Sequence, residues 1–187
     1  MERIVVIGTS CSGKTTFARE IANMLGIEHI ELDELHWEPN WKERDREQFK
    51  SLVESRINKE RWIADGNYSV VRDVLWARAT TIIWLNYSFP IVLYRAFVRS
   101  FKRSITKEVL FSGNKESFRR SFLSKESIIL WVINTHSEKR RRYSSLLSSS
   151  NIEVIEFKKT NEAKKFINSL RVEVCWSPKF ILDERPR

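Results

Sequence analysis

The residues Gly8-Thr9-Ser10-Cys11-Ser12-Gly13-Lys14-Thr15 carry the plainest chemistry in the chain. Two glycines let the backbone curl so that successive N–H groups point at one centre, the arrangement that cradles phosphate oxygens. Lys14 can reach the outer phosphates, and the Thr15 hydroxyl can ligate Mg²⁺. The run fits the pattern G-x-x-x-x-G-K-[ST] in full and stands in the right context. Before it lies the apolar run Ile4-Val5-Val6-Ile7; after it an amphipathic stretch runs from Thr15 to Leu25. A helix starting there adds about half a positive charge at its N-terminus. The pattern predicts a site for ATP and Mg²⁺, with Gly8, Ser10, Cys11, Ser12, Gly13, Lys14, Thr15 and Thr16 around the phosphates. The chain has only five glycines, less than half what an average composition of about 7% would give, so Gly8 and Gly13 are there for the backbone itself. Cys11 fills a variable position of the loop as a small side chain.

Two carboxylates follow at the ends of short apolar runs, Asp33 after Ile30-Glu31-Leu32 and Asp65 after Trp62-Ile63-Ala64. Ligands of open α/β sheets bind beyond the carboxyl ends of the strands, so both carboxylates can face the phosphates. One would hold a Mg²⁺-bound water and the other would orient or deprotonate an acceptor hydroxyl, unless either merely caps the next turn. Arg95, Arg99 and Arg103 recur at i, i+4 and i+8, which puts three guanidiniums on one helical face. Arginines closing over a transferring phosphoryl group are worth about 10³–10⁵ in rate, and Arg99 and Arg103 are the first candidates here. Arg119-Arg120 and Lys139-Arg140-Arg141-Arg142 can close from a second helix. His36, Trp37 and Trp41 either stack on a ring of the substrate or pack in the core. Asn67, Tyr68 and Arg72, just past Asp65-Gly66, can hydrogen-bond an acceptor.

These side chains need a scaffold, and hydrophobic patterning supplies one. Strands are expected over residues 4–7, 28–32, 62–64, 81–85 and 152–157. Helices are expected over 15–25, 49–57, 91–103, 126–147 and 161–170, with a loop from His36 to Trp41 around Pro39-Asn40. From Arg171 the pattern has no clear period, which suits an edge strand or a mobile end. Strands alternating with helices predict an α/β fold with a mainly parallel sheet, in one domain of 187 residues. With 42% hydrophobic residues the chain is not disordered. Two cysteines, Cys11 and Cys175, make neither a disulfide framework nor a zinc site. No run approaches the length of a membrane span, and the N-terminus lacks a signal peptide's cleavage region, so a cytoplasmic protein is expected. Charge is uneven: residues 91–150 hold 13 basic and 4 acidic side chains, which equals the net +9 of the whole chain. Such a segment attracts polyanions.

Three segments together resemble the adenylate-kinase-like family called DNA topology modulation proteins. They are Gly8 to Thr16, Ile30 to Trp37 with Asn40-Trp41, and Asp65-Gly66-Asn67-Tyr68-Ser69 with Arg72-Asp73 and Trp76. The likeness runs through Trp84-Leu85 into the arginine-rich helix. It implies a P-loop NTPase fold of the nucleotide-kinase kind, three-layer α/β/α, with a five-stranded parallel sheet in order 2-3-1-4-5. It also implies an acceptor-binding region at about 34–60 and a helical basic lid at about 95–142. In such kinases the Asp of the third strand lies near Mg²⁺ through water, here Asp65, and lid arginines map to Arg99 and Arg103. Asn86 departs from the pattern, where such proteins often carry Asp after the fourth strand.

Two functions are compatible with these features. One is a small-molecule kinase that moves the γ-phosphoryl of ATP to a nucleotide, nucleoside or similar acceptor, with Lys14, Asp33, Arg99 and Arg103 as its catalytic residues. The other is a nucleotide-dependent nucleic-acid binder that uses the basic segment on phosphates. The second is disfavoured because no DNA-reading motif is present.

Overall fold

Four consecutive apolar residues leave a strand no polar face, and in the computed structural model the strand built on Ile4–Ile7 lies mid-sheet, covered on both sides. The structure describes residues 1–106, 110–114 and 127–175. Along the chain come β1 (Arg3–Gly8), α1 (Lys14–Leu25), β2 (Glu28–Glu31), α2 (Leu32–His36), β3 (Trp37–Glu38) and β4 (Lys42–Glu43). Then follow α3 (Arg46–Arg56), β5 (Trp62–Asp65), α4 (Ser69–Arg78), β6 (Thr81–Leu85), α5 (Phe89–Thr106), α6 (Ile128–Ser148), β7 (Glu153–Phe157) and α7 (Thr160–Cys175).

The main sheet is parallel throughout, in spatial order β2-β5-β1-β6-β7. Counting only its own strands along the chain, that order is 2-3-1-4-5, as the resemblance implies. Alternate residues of β1 feed two cores. Ile4 and Val6 pack with Phe17 and Ile21 of α1, Val92 and Ala96 of α5, and Ile167 and Leu170 of α7. Val5 and Ile7 pack with Phe49 and Val53 of α3, Val71 and Leu75 of α4, and Tyr143 and Leu147 of α6. The fold is therefore three layers, α/β/α.

Several local expectations are corrected. β2 stops at Glu31, and α2 starts at Leu32, so Asp33 sits on a short helix instead of at a strand end. The segment 36–41, expected as a loop, holds β3 and a 3₁₀ turn at Pro39–Trp41, and β3 pairs with β4 in a small antiparallel ribbon. α3 begins at Arg46, three residues before the expected start, because Asp45 caps it, its Oδ1 accepting from the amides of Glu47 and Gln48 at 3.0 and 3.1 Å. α7 continues through residues 171–175, so that stretch is neither strand nor loose end. Residues 107–109 and 115–126, with Arg119 and Arg120, and the tail 176–187 lie outside the described residues. Among the described residues no helix is long and apolar enough to cross a membrane.

The described part of the expected lid touches the expected acceptor region. The Asn114 side chain, buried at the turn Phe111–Gly113, accepts from the Trp41 amide at 2.9 Å and donates to the Glu38 carbonyl at 2.9 Å. Ser112 Oγ donates to the Trp37 carbonyl at 2.6 Å. These bonds fasten the turn to the β3–β4 ribbon.

Candidate active site

β1 delivers the chain to Gly8, and α1 takes it up at Lys14. Between them the loop closes on itself, with the Ser12 amide donating to the Thr9 carbonyl at 3.2 Å. A Cβ on Gly8 would lie 2.7 Å from Ser12 Oγ and 2.8 Å from the Leu85 carbonyl, so the turn requires glycine there. Gly13, with φ of 92°, sets the left-handed step that enters α1. Lys14 Nζ arches back to donate to the Thr9 carbonyl at 3.2 Å. The hydroxyls of Thr9 and Ser12 are buried without a hydrogen-bond partner. Buried donors of this kind cost stability unless a ligand answers them.

Asp65 ends β5 beside the loop and is only 3% exposed. Its Oδ2 accepts from Thr15 Oγ1 at 2.8 Å, and its Oδ1 meets His29 Nε2 of β2 at 2.7 Å. Both carboxylate oxygens are thus fixed, one toward the phosphate loop and one away from it. Glu31 is the register partner of Asp65 on β2. Burial, then the charges of Asp65 and Asp33, push its carboxyl above the ordinary range. The strand ends therefore gather negative charge that a divalent cation would neutralise. Asn67 completes this side, its Nδ2 donating to the Gly8 carbonyl and its Oδ1 accepting from the Gly8 amide at 3.4 Å.

Asp33 stands on α2, and its Oδ1 accepts from the Tyr68 hydroxyl at 2.6 Å. Burial pushes the Tyr68 phenol far above its ordinary range, and the Asp33 charge adds to this, so Tyr68 stays a hydrogen-bond donor. The expected aromatics pack together. The His36 ring meets Trp37, Phe49 and Tyr68 with centroids 4.8, 5.0 and 4.4 Å away, and Trp37 meets Trp41 edge-on at 5.6 Å. Burial lowers the His36 pKa, which keeps the imidazole neutral. The His36 and Phe49 rings pack on Tyr68, whose hydroxyl reaches Asp33.

From α5, Arg95 Nη1 donates to the Ser12 carbonyl, and its Nη2 donates to Thr160 Oγ1 at 3.1 Å. Its guanidinium also lies 4.9 Å from the Tyr87 ring centroid. One side chain thus ties the phosphate loop, α5 and α7 together. Arg99, one turn on, points Nη1 at Cys11 Sγ at 3.9 Å. Arg103 stands a further turn along α5, about 6 Å beyond Arg99. Sequence reasoning favoured Arg99 and Arg103 and passed over the strap made by Arg95. Asn86, the departure from the family pattern, is buried and donates through Nδ2 to Glu156 Oε1 on β7. It secures a sheet edge.

Lys139 of α6 is the other residue that sequence left inside a run of cations. It is half-buried; burial first and the Lys14 charge next lower its pKa from 10.5 to about 8, while Asp33 and Glu138 raise it. Lys139 therefore lies within electrostatic reach of the phosphate-loop lysine and of the Asp33 carboxylate. Its ammonium also lies 4.9 Å from the Trp131 ring centroid. The depressed pKa has a consequence for stability. An unfolded lysine titrates near 10.4, so between about pH 8 and that value the unfolded chain binds the proton that the native chain lacks, and stability rises with pH. Below pH 8 the native state bears the full cost of the desolvated charge. Lys139→Met is accordingly expected to be more stable than the parent at pH 7, by about 1 kcal/mol once the exposure of the side chain is discounted. Urea denaturation at pH 7 and pH 9.5 checks this: the gap should narrow at the higher pH, and equal stability at both would refute it.

With this geometry in view, the comparisons with known proteins can be stated. A family model described as an AAA domain matches residues 4–92. No curated protein matches the chain. Among solved structures, shikimate kinase from Bacteroides thetaiotaomicron is 14% identical, with a TM-score of 0.55 over 92% of this chain and 98% of that one. Shikimate kinase from Aquifex aeolicus is 18% identical, with a TM-score of 0.52 over 94% and 99%. A gluconokinase from Sinorhizobium meliloti 1021 is 15% identical, with a TM-score of 0.51 over 98% of each chain. The fold is that of the P-loop kinases.

In this fold the phosphate loop, Asp65 and Asp33 all open at the carboxyl end of one sheet, where α/β ligands bind. On one side of the loop a cavity of about 350 Å³ is lined by Ser12, Gly13, Thr16, Tyr87, Arg95 and Thr160, among others. On the other side a cavity of about 80 Å³ lies between α4 and α6 and is lined by Asn67, Tyr68, Arg72 and Lys139, among others. The structure thus brings together the loop, Asp65, Asp33, Asn67, Tyr68, Arg72 and Arg99. It packs His36 on Tyr68 and Trp37 on Trp41, and neither lines these two cavities.

Proposed function

We propose that the chain is a small-molecule kinase that transfers the γ-phosphoryl group of ATP to the hydroxyl of a small acceptor. The observation that carries this reading is the division of labour between two carboxylates. Asp65 is engaged with Thr15 beside the phosphate loop, whereas Asp33 is held through one oxygen by Tyr68, a wall residue of the smaller cavity. A nucleotide binder without transfer chemistry has use for the first and none for the second.

The residues present fit ATP and Mg²⁺. The glycine-shaped cradle, the unanswered hydroxyls of Thr9 and Ser12, and Lys14 suit a polyphosphate. Thr15 and Asp65 offer the hard oxygen donors that Mg²⁺ takes, and they are few, as suits an ion that keeps several waters and binds substrate phosphates. When bound there, the ion neutralises phosphate charge as it develops. The 350 Å³ cavity is of a size for a nucleoside, with Arg95 and Tyr87 at its wall.

In the reaction the acceptor oxygen forms a bond to the γ-phosphorus, the bond from that phosphorus to the β,γ-bridging oxygen breaks, and ADP leaves. The acceptor's hydroxyl proton passes to Asp33, which Tyr68 holds in place. Lys14, Arg99 and Lys139 are cations around the moving group, so most of the catalysis is charge placement. Arg103 has the same role in this reading, from one turn further along α5. The solved structures of this fold named as shikimate kinases and a gluconokinase support an acceptor of small-molecule kind. The test is ADP formation from Mg²⁺-ATP with a panel of nucleosides, nucleotides and small hydroxylated metabolites, read above a blank without acceptor. Transfer to one class is the expected result. No transfer to any member, with DNA binding that falls steeply as salt rises, would favour the nucleic-acid reading instead.

A further inference from the structure

α5 divides its surface three ways. Val92, Ala96 and Ser100 are fully buried. Arg95 donates to the Ser12 carbonyl and Arg99 points at Cys11, so these cations serve the phosphate loop. The remaining arc faces solvent and is apolar. Tyr94, Val98, Phe101 and Ile105 are 70%, 48%, 60% and 65% exposed, with Phe97 at 46% beside them. At 3.6 residues per turn these five positions cover roughly 100° of the helix, the width of face that a helix turns toward something it packs on.

The spacing of the arc points to what it packs on. Residues 94, 98, 101 and 105 follow at intervals of four, three and four, which read the same from either end. Two copies of α5 laid antiparallel about a two-fold axis therefore set Tyr94 against Ile105 and Val98 against Phe101, each pair twice over. The same register sets Lys102 opposite Phe97, where an ammonium over the ring and an apolar stem are both accommodated.

We propose that a second copy of this chain covers the arc, and that the protein is a two-fold dimer paired through α5. Area fits this occupant. Aromatic side chains bury roughly 150–250 Å² each, so three of them about half exposed, with Val98 and Ile105, leave on the order of 500 Å² to cover. Two copies together bury about 1,000 Å², the least that a specific interface takes. Charge argues against other occupants. An anionic bilayer or a nucleic acid calls for cations on the surface presented to it. The arc holds none: Lys102 stands at its edge, while Arg95 and Arg99 turn inward.

Sedimentation velocity of the full chain over a range of concentrations tests the pairing. The parent should sediment with twice the mass of one chain. Phe101→Glu should weaken the dimer at least about tenfold, as the loss of a central aromatic anchor does, while Val172→Glu, on the exposed side of α7, should leave it intact. Adding Val98→Lys to Phe101→Glu should recover most of the loss, because position 98 of one copy faces position 101 of the other and the new charges pair twice. If Phe101→Glu melts well below the parent, Tyr94→Glu asks the same question at the most exposed position of the arc. A parent that stays a single chain at every concentration would overturn the proposal, and its flotation with phosphatidylglycerol vesicles would assign the arc to a membrane. A dimer indifferent to both glutamates, or one that Val98→Lys does not recover, would overturn the antiparallel α5 pairing. No nucleotide enters these measurements, so the kinase reading stands or falls separately.

Discussion

Lys14→Ala is expected to lower phosphoryl transfer by at least about 10²–10³-fold, the scale on which losing one preorganised group aimed at developing charge is felt. Lys14 is the first residue of α1, and it arches over the loop to the Thr9 carbonyl at 3.2 Å. That bond holds the ammonium above the cradle formed by Gly8 to Gly13. No neighbour stands ready to replace it: Lys139 belongs to α6, and Arg95 is tied to Ser12 and Thr160. The fold should survive. Alanine is the best helix former at an exposed helical position, and the lost hydrogen bond is worth about 1 kcal/mol. Measuring kcat with the best acceptor alongside the melting temperature separates the two effects. A variant that melts like the parent and turns over undiminished would remove the phosphate loop from the chemistry.

Why some of this was legible from sequence and some was not follows from the range of the forces involved. β1, β5 and β6 are covered on both faces, so burial is written as the runs Ile4–Ile7, Trp62–Ala64 and Thr81–Leu85. The phosphate loop is legible because its constraints are local: a glycine at each end, then Lys14 and Thr15. The β3–β4 ribbon is not local. Its turn uses left-handed backbone at Asn40 and Trp41, with φ of 62° and 58°. A tryptophan does not choose that conformation unaided; Asn114, 73 positions away, holds its amide. α4 escaped notice because Val70, Val71 and Val74 are β-branched, with weak helix propensity, and only the packing of Val71 and Leu75 against the sheet settles the matter.

The site shows the same division. Asp65 was placed correctly at the end of its strand, while the partner that fixes its outer oxygen, His29, comes from β2 and left no signal in the spacing. Asp33 was expected to project from a strand end; instead α2 turns it toward Tyr68. Lys139 lay hidden in the run Lys139–Arg142. Only the fold shows that Lys139 is half-buried and, with Arg142, lines the cavity between α4 and α6, while Arg140 and Arg141 are exposed and absent from its lining. A run of cations in one dimension becomes a distinction between solvated and site-facing side chains in three.

Asp33→Asn should cost about 10²–10⁴-fold in kcat, the range of general-base catalysis, with little change in the affinity for ATP. Asparagine keeps the shape and still accepts from the Tyr68 hydroxyl, so the α2 contact persists while the proton acceptor is lost. Tyr68→Phe tests the other half of the pair. The phenol is held far above its ordinary pKa and never ionises in the working range, so its removal loosens Asp33 without removing a proton carrier. A loss of roughly tenfold is expected, from misplacement alone. The two groups act as a unit, so Asp33→Asn combined with Tyr68→Phe should be hardly slower than Asp33→Asn alone. The pH profile separates base from scaffold. If Asp33 takes the proton, the acidic limb of kcat disappears in Asp33→Asn and persists in Tyr68→Phe. If Asp33→Asn keeps that limb and loses less than tenfold in kcat, the carboxylate serves only to hold Tyr68, and the acceptor's proton leaves by another route.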